Sequence, residues 1–430
     1  MNYKLNKYLY FSFKENAVII FNLFNGKIFA ITKEKYDLLM NSNEWENLKS
    51  NNPHFFSAME KLEVIVPYDL DELSVIKEQN RKRVFNANSY LLTINPTLEC
   101  NFCCWYCYEK HPKGRMSQKT IDSVVKHVKH KIENEALKHL QLDWFGGEPL
   151  LYFNEVVYPL SLSLKQLSLE NNVCFSNEAV TNAYLMNNKM IEKFQEIDLF
   201  SFQITLDGDE KTHNKIRFDK KEKDSYRKII DNINLLSEYP NTKIALRINY
   251  TQDTLTNINN IINHLSNNAK QCITILFQQV WQDAQSSYVS SEENKSFFRE
   301  KGFNVPENIL NLQSYVCYAD LLQQAVINYD GKVFKCTARD FSTHKADGVL
   351  QSNGEIEWDK SIICKRLGNA TFENEFCISC ELLPACMGPC SQKMIEYDKS
   401  YNFEHICLKG GFKHSIEQRI DRFYNNLQIN

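Results

Sequence analysis

From Tyr90 to Val280 the chain alternates two kinds of segment, and this alternation restricts the fold more than any other feature of the sequence. YLLTINPTLEC (90–100), LQLDWFG (140–146), VCFSNEAVTN (173–182), LFSFQITLDG (199–208), KIALRINYT (243–251) and QCITILFQQV (271–280) read as strands. Between them lie amphipathic stretches such as SQKTIDSVVKHVKHKIENEA and YRKIIDNINLLSEY, whose apolar residues recur at three- and four-residue intervals. Six β/α units imply parallel strands joined by right-handed helical crossovers, hence an α/β fold built as a barrel or part of one. Chemistry in such barrels gathers at the carboxyl ends of the strands. There this chain carries NFCCWYC, GGEP, TNA, TLDG and RIN.

A chain of 430 residues exceeds the size at which one core stops growing, so two or three domains are expected. Its 50 Lys and Arg against 53 Asp and Glu leave no global field that would recruit nucleic acid or an anionic membrane. The N-terminal MNYKLNKYLYFSFKENAVIIFNLF does not read as a signal peptide, and no apolar run is long enough to span a bilayer. A cytoplasmic location follows as the expectation. Thiols stay reduced there, so the 14 cysteines read as metal ligands or catalysts before disulfides.

Four of them, Cys100, Cys103, Cys104 and Cys107, fall within eight positions after the first strand. They offer two triples, C-x3-C-x2-C (100, 104, 107) and C-x2-C-x3-C (100, 103, 107). Either could wrap three thiolates around a corner of an iron–sulfur cube and leave one iron without a protein ligand. Clustered cysteines also serve zinc, but no second CxxC knuckle lies within the barrel segment to close a tetrahedron.

The first triple has Trp105-Tyr106 before its last cysteine, follows a strand, and is followed by Gly146-Gly147-Glu148-Pro149 at the next strand end. In this it resembles the radical S-adenosylmethionine (SAM) enzymes. The resemblance implies that Cys100, Cys104 and Cys107 hold a 4Fe-4S cluster, that Cys103 is a spectator, and that the open iron chelates SAM. Reduction of SAM then yields a 5'-deoxyadenosyl radical that abstracts hydrogen from a substrate. It also implies a SAM-binding role for Tyr106, Gly146, Gly147, Glu148 and Pro149. Thr181-Asn182-Ala183 resembles the family's Thr-Asn-Gly, with alanine in place of glycine, and ITLDGDEKTHNKIR resembles a block of peptide- and sulfatase-modifying members. Thr181, Asn182, Asp207 and Arg217 join the SAM site on that basis, with Arg217 paired to the SAM carboxylate.

After residue 300 the alternation ends and seven further cysteines follow at restricted spacings: Cys317, Cys336, Cys377, Cys380, Cys386, Cys390 and Cys407. They resemble the SPASM domain, which binds two auxiliary 4Fe-4S clusters. The resemblance assigns Cys377, Cys380, Cys386 and Cys407 to a distal cluster, and Cys317, Cys336 and Cys390 to a proximal one. The interval 318–335 has no cysteine, so the proximal cluster either recruits Cys364 or keeps an open iron. Cys174 and Cys272 sit within strand patterns and read as buried thiols. A treble-clef-like zinc domain is the alternative for the seven.

Residues 1–85 contain no cysteine. NAVIIFNLFNGKIFAI reads as two strands joined by an Asn-Gly turn, TKEKYDLLMN as a helix with a Thr cap, and FFSAMEKLEVIVPYD as helix then strand. This order resembles the winged-helix modules that recognise leader peptides. The expected architecture is therefore a winged-helix-like leader-peptide recognition domain (1–85), a partial (β/α)6 TIM-type radical SAM barrel (86–300) and a C-terminal SPASM domain (301–430). The resemblance implies a maturase of a ribosomally synthesised peptide that forms a thioether or carbon–carbon crosslink. It would use three 4Fe-4S clusters, SAM, a leader-bearing precursor peptide and an external one-electron reductant of flavodoxin or ferredoxin type. Two rivals are an anaerobic sulfatase-maturing enzyme, against which Thr337 stands where those enzymes carry Asp, and a non-catalytic electron-transfer protein. Tyr318, Asp320, Arg339 and Asp340 flank the proximal cysteines, and no general base is assigned.

Overall fold

The computed structural model describes residues 2–41, 45–220, 222, 224–280, 282, 289–306, 316–368, 371–396 and 403–429. The chain forms two compact units, Met1–Asn86 with Asn308–Leu322 and Ser361–Asn430, and Ala87–Glu307 with Gln323–Lys360. Residues 323–360, which the sequence groups with the C-terminal cysteines, thus belong to the unit that contains the six β/α segments.

The first unit begins with β1 (Tyr3–Leu5), β2 (Leu9–Phe13), β3 (Val18–Asn22), β4 (Lys27–Ile31) and β5 (Ile65–Pro67). β1 pairs with β5, and β2–β3–β4 form an antiparallel meander. The register pairs Asn22 with Lys27, so the hairpin loop has four residues rather than a two-residue Asn-Gly turn. Asn22 imposes this, since its buried amide donates to Leu62 O and Glu63 O while its carbonyl accepts from Phe24 N. Thr32 caps the helix Lys33–Met40 by accepting from Lys35 N at 3.2 Å.

Every residue of β3 is buried, because both of its faces are covered. Ile20 packs with Leu39, Leu48, Phe56 and Met59, which come from the helices that follow the meander. Ile19 and Phe21, on the opposite face as strand alternation requires, pack with Leu382, Leu383, Phe412, Ile416 and Ile420. The last three lie on the helix Lys409–Ile429. Burial of each such side chain contributes about 2 kcal/mol, so the N-terminal segment and the cysteine-rich tail stabilise one shared core.

The second unit holds β6 (Ser89–Asn95), β7 (His139–Trp144), β8 (Cys174–Thr181), β9 (Leu199–Leu206), β10 (Lys243–Tyr250), β11 (Ile273–Gln279), β12 (Gln324–Asn328), β13 (Lys332–Phe334), β14 (Gly348–Leu350) and β15 (Ile356–Trp358). Their order is β11-β10-β9-β8-β7-β6-β12-β13-β14-β15. The first six are parallel to their neighbours, β12 runs parallel to β6, and the rest are antiparallel. Leu92, Leu142, Ile204 and Leu246 face the helical layer and form its core with residues such as Val124, Leu160, Ile191 and Ile233. Many of the alternate residues are polar: Thr93, Gln141, Asp143, Glu178, Gln203, Thr205 and Arg247. The sheet therefore turns an apolar face to its helices and a more polar one to its other side.

Two thiols differ from expectation. Cys174 is exposed, because it is the first residue of β8 at the amino-terminal rim. Cys272 ends the helix Asn267–Cys272 and is half-buried. No described helix is long and apolar enough to cross a membrane.

Candidate active site

The carboxyl ends of β6 to β10 bring most of the expected residues together. Beyond Asn95 the chain runs through Pro96–Glu99 into the cysteine loop, and the segment after β7 packs directly against that stem. Gly147 N–H donates to Thr97 O (3.3 Å) and Glu148 N–H to Glu99 O (2.8 Å). A Cβ on Gly147 would lie 2.1 Å from Glu99 O and 2.4 Å from Leu98 O. Gly146 has φ +99°, and its Cβ would lie 2.5 Å from Thr97 O. The resemblance explains the two glycines by approach of a ligand, whereas here the stem of the cysteine loop already requires them.

Glu148 is 1% exposed. It accepts from Thr181 Oγ1 (2.7 Å), Asn182 N (2.7 Å) and Leu150 N (3.0 Å). The last bond caps the short 3-10 turn Pro149–Tyr152, in which Pro149 takes the first position. Burial raises the Glu148 carboxyl above its usual range, and the three donors oppose that rise. Asn182 donates through Nδ2 to Asn101 Oδ1 (2.8 Å), which ties β8 to the cysteine loop. Ala183, which replaces the family's glycine, adopts φ +59°. The loop geometry is kept at the cost of a left-handed non-glycine residue.

A second network centres on Tyr106. Its hydroxyl donates to Asp207 Oδ2 (2.6 Å) and accepts from Arg217 Nη1 (2.9 Å) and Asn249 Nδ2 (3.0 Å). Arg217 Nε is 3.9 Å from Asp207 Oδ2, and the guanidinium lies over the Phe102 ring at 5.8 Å. Asn249 accepts in turn from Arg247 Nε (2.9 Å). Burial pushes the Asp207 carboxyl up to about 6 against the pull of Arg217. Asp207 Oδ1 and Arg217 Nε are buried without a hydrogen-bond partner among the described residues. An acceptor and a donor left over in one dry place suit a ligand that carries both charges, as an amino acid does.

Cys100 and Cys104 pack against the core of the sheet, and burial pushes their thiols up to about 12 and about 11. Cys107 is exposed as a residue, yet desolvation raises its thiol too, and it lies 3.4 Å from His111 Nε2. Cys103 is exposed. Such thiols are poor nucleophiles unless a metal takes the proton's place. Among the described residues, no three His, Cys, Asp or Glu side chains stand close enough to hold a single metal ion. Thiolates at the corners of a four-iron cube stand farther apart than the ligands of a lone ion. Thiols gathered in one loop are the donor type that an iron–sulfur cluster takes, and the resemblance assigns that part to Cys100, Cys104 and Cys107.

In the first unit, Cys377, Cys380, Cys386 and Cys407 all line one cavity of about 440 Å³. A second cavity, of about 330 Å³, is lined by Cys317 and Cys390 together with Asp320 and Arg366. Cys336 is buried in the other unit, just past β13. Cys364 is exposed and lines neither cavity, although the next four residues, Lys365 to Gly368, line the second.

Arg247, Asn249, Glu99 and Glu109 carry no role in the sequence reading, although RIN was placed at a strand end. Glu99 holds the cysteine loop by accepting from Gly114 N (2.7 Å) and Tyr152 Oη (3.0 Å). Glu109 is buried with Oε2 lacking a partner among the described residues, and burial and the nearby Asp340 push it up to about 8. The signal that could have found them is position alone, at strand ends and in the cysteine loop.

Asp143, on the face of β7 away from the helices, is pushed up to about 7 by burial, with Glu178 adding to the rise. A raised acid folds most favourably while protonated, so its contribution to stability falls as pH climbs from about 4 to about 7. Asp143→Asn keeps the acceptor for Gln141 Nε2 and removes that cost. The variant should match the parent in thermal melts at pH 4 and exceed it by roughly 2–4 kcal/mol at pH 8. A constant difference across that range would show that Asp143 is not the titrating group.

Residues 94–261 match the profile of the Radical SAM superfamily. A cysteine-type anaerobic sulfatase-maturating enzyme of Clostridium novyi is 31% identical over 150 residues, which are 34% of this chain and 38% of that enzyme. This chain thus spans well under two thirds of that relative. The radical SAM cyclopropyl synthase TigE of Paramaledivibacter caminithermalis is 21% identical over 434 residues, covering 87% of this chain and 86% of TigE. The crystal structure of Streptococcus suis SuiB bound to its precursor peptide SuiA superposes with a TM-score of 0.54 at 15% identity, covering 94% of this chain and all of SuiB. It is thus residues 94–261, where the cysteine loop and the GGEP turn pack together at the strand ends, that carry the likeness to the radical SAM superfamily.

Proposed function

We propose that this chain is a radical SAM peptide maturase that modifies side chains of a ribosomally synthesised precursor by hydrogen abstraction, and that it works in the cytoplasm. The observation that carries the SAM part is the packing of the cysteine loop on Gly146-Gly147-Glu148, beside a network holding one unmatched carboxylate oxygen and one unmatched guanidinium nitrogen. Bound there, a 4Fe-4S cluster and SAM supply the radical chemistry, and the protein's part is to bind, orient and keep water out. Arg217 would meet the SAM carboxylate, and Glu148, with Thr181 and Asn182 behind it, would face the amine. Tyr106, Asp207 and Asn249 hold Arg217 in place.

The peptide part is supported by the likeness to TigE along most of both chains and by the SuiB fold. The meander β2–β3–β4 has edges at β2 and β4, where a leader could add as a further strand. Cys377, Cys380, Cys386 and Cys407 would hold one auxiliary cluster, and Cys317, Cys336 and Cys390 another. A proximal site short of one thiolate suits thioether formation, since a metal lowers the pKa of an incoming thiol. Electrons would come from a flavodoxin or ferredoxin. Sulfatase maturation is the second reading, favoured by the similarity to the Clostridium novyi enzyme over 150 residues and opposed by Thr337 after Cys336.

Anaerobically reconstituted protein should carry about twelve irons per chain. With SAM and dithionite it should release 5'-deoxyadenosine, and a candidate peptide should raise that rate and change in mass. Stoichiometric zinc with little iron would rule the proposal out.

A further inference from the structure

Tyr8 is fully buried, yet its hydroxyl has no hydrogen-bond partner among the described residues. A donor shut away from water without an acceptor is destabilising, so such a group points to something that completes it. Its surroundings are those of the four-cysteine cavity. Tyr8 belongs to the same buried cluster as Cys377 and Cys386, and Cys380 packs against that cluster. Lys7 Nζ donates to Ile378 O at 3.0 Å and stands 5.4 Å from the Tyr8 ring, which fastens residues 7 and 8 to the turn between Cys377 and Cys380. Burial pushes the phenol up to about 12, and the charges of Glu72, Asp71 and Cys380 add to that rise. The hydroxyl therefore keeps its proton and lies within electrostatic reach of Cys380. The two carboxylates are engaged elsewhere: Glu72 accepts from Lys4 Nζ (2.8 Å) and Lys7 N (2.9 Å), and Asp71 accepts from Ser74 N (3.1 Å) and Ser74 Oγ. Cys380 is the acceptor that is left.

We infer that Tyr8 Oη donates a hydrogen bond to the sulfur of Cys380 once that sulfur ligates iron, and so helps to set the reduction potential of the cluster that Cys377, Cys380, Cys386 and Cys407 would hold. The inference rests on the iron–sulfur reading of this cavity and deepens it. A neutral thiol is a weak acceptor, whereas a thiolate on iron carries negative charge that grows when the cluster gains an electron. A donor aimed at it stabilises the reduced state more than the oxidised one and raises the potential. The rest of Tyr8 serves packing, its ring stacked on Phe24 at 6.4 Å, so the fold itself does not use the hydroxyl. Tyr8 immediately precedes β2, one of the two edges where a leader could add. The segment that would receive the peptide would then also hold one end of the auxiliary cluster.

The test compares the full-length reconstituted chain with Tyr8→Phe, and with Tyr10→Phe as a control, since the Tyr10 hydroxyl already donates to Glu417 Oε1 (3.0 Å). In redox titrations followed by the electron paramagnetic spectrum, one auxiliary signal of Tyr8→Phe should move to more negative potential. At the parental midpoint its ratio of reduced to oxidised cluster should fall about threefold to tenfold, or about 30–60 mV for one electron. Electron–nuclear double resonance of the parent should show an exchangeable proton coupled to that signal, lost in deuterated buffer and missing from Tyr8→Phe. Tyr10→Phe should match the parent in both measurements. Without iron, Tyr8→Phe should melt no lower than the parent, because the hydroxyl has no protein partner to lose. Selective loss of about four irons from Tyr8→Phe, with the iron-free melt unchanged, would support the hydrogen bond through affinity. Parental potentials at parental iron content would overturn the inference alone, as would a lower iron-free melting temperature, which would give the hydroxyl a structural partner. If the parent binds iron only at the barrel loop, about four per chain, the cluster reading of the cavity fails and takes the inference with it.

Discussion

Replacing Cys100, Cys104 and Cys107 together by alanine removes about four irons and reduces 5'-deoxyadenosine formation to background, whereas Cys103→Ala leaves both near the parental level. Cys100 and Cys104 are packed against the sheet, and Cys107 N–H donates to Cys104 O at 3.1 Å. The loop therefore holds these residues in one turn that the backbone fixes before any iron arrives. Cys103 is exposed, as Cys107 is, but unlike Cys100 and Cys104 it is not among the residues packed against the core of the sheet. Iron analysis and chromatography of the reaction with SAM and dithionite measure the two outcomes. Loss of the cluster in Cys103→Ala alone would transfer the assignment to the other triple.

Gly147→Ala should be as damaging as removal of a ligand, although glycine has no side chain to contribute. Its Cβ would lie 2.1 Å and 2.4 Å from two backbone carbonyl oxygens of the cysteine loop's stem, and backbone cannot rotate away as a side chain can. Either the stem moves, carrying Cys100 with it, or the strand end shifts. We expect a loss of about 3 kcal/mol in stability and a cluster that is lost during gel filtration. Gly410→Ala is the control, since nothing lies within 4 Å of a Cβ there, and it should behave as the parent. Parental iron content and SAM cleavage in Gly147→Ala would refute the packing argument.

The six parallel strands are legible in the sequence because each combines a continuous apolar face with turn residues at its end, a local pattern that needs no partner to be read. β12 is not legible in that way. QAVIN (324–328) is five residues long, and it becomes a strand by pairing with β6, more than 230 positions earlier in the chain. The shared core of the first unit is hidden for the same reason. AVIIF reads as a buried strand, but nothing in it names Phe412 or Ile420 as the residues that bury it. At the site, cysteine spacing and GGEP were readable because their chemistry demands particular residue types. Asn249 and Arg247 were not assigned, since their part is to hold Tyr106, and any donor of the right reach could do that. Cys174 reads as core from its neighbours and is exposed because the strand begins with it.

The discontinuous first unit also has a bearing on how the chain is made. Ribosomes add roughly 5–20 residues per second, so the strand β3 waits roughly 20–80 s between its own synthesis and the emergence of the helix Lys409–Ile429 that covers Ile19 and Phe21. The barrel, whose contacts join successive strands, can complete itself within that interval. The amino-terminal meander cannot, and its apolar face stays open to chaperones, or to other nascent chains, until that helix emerges. Expression at lower temperature lengthens that wait while slowing aggregation, so the soluble yield of this chain should depend on chaperone supply more steeply than that of its barrel segment.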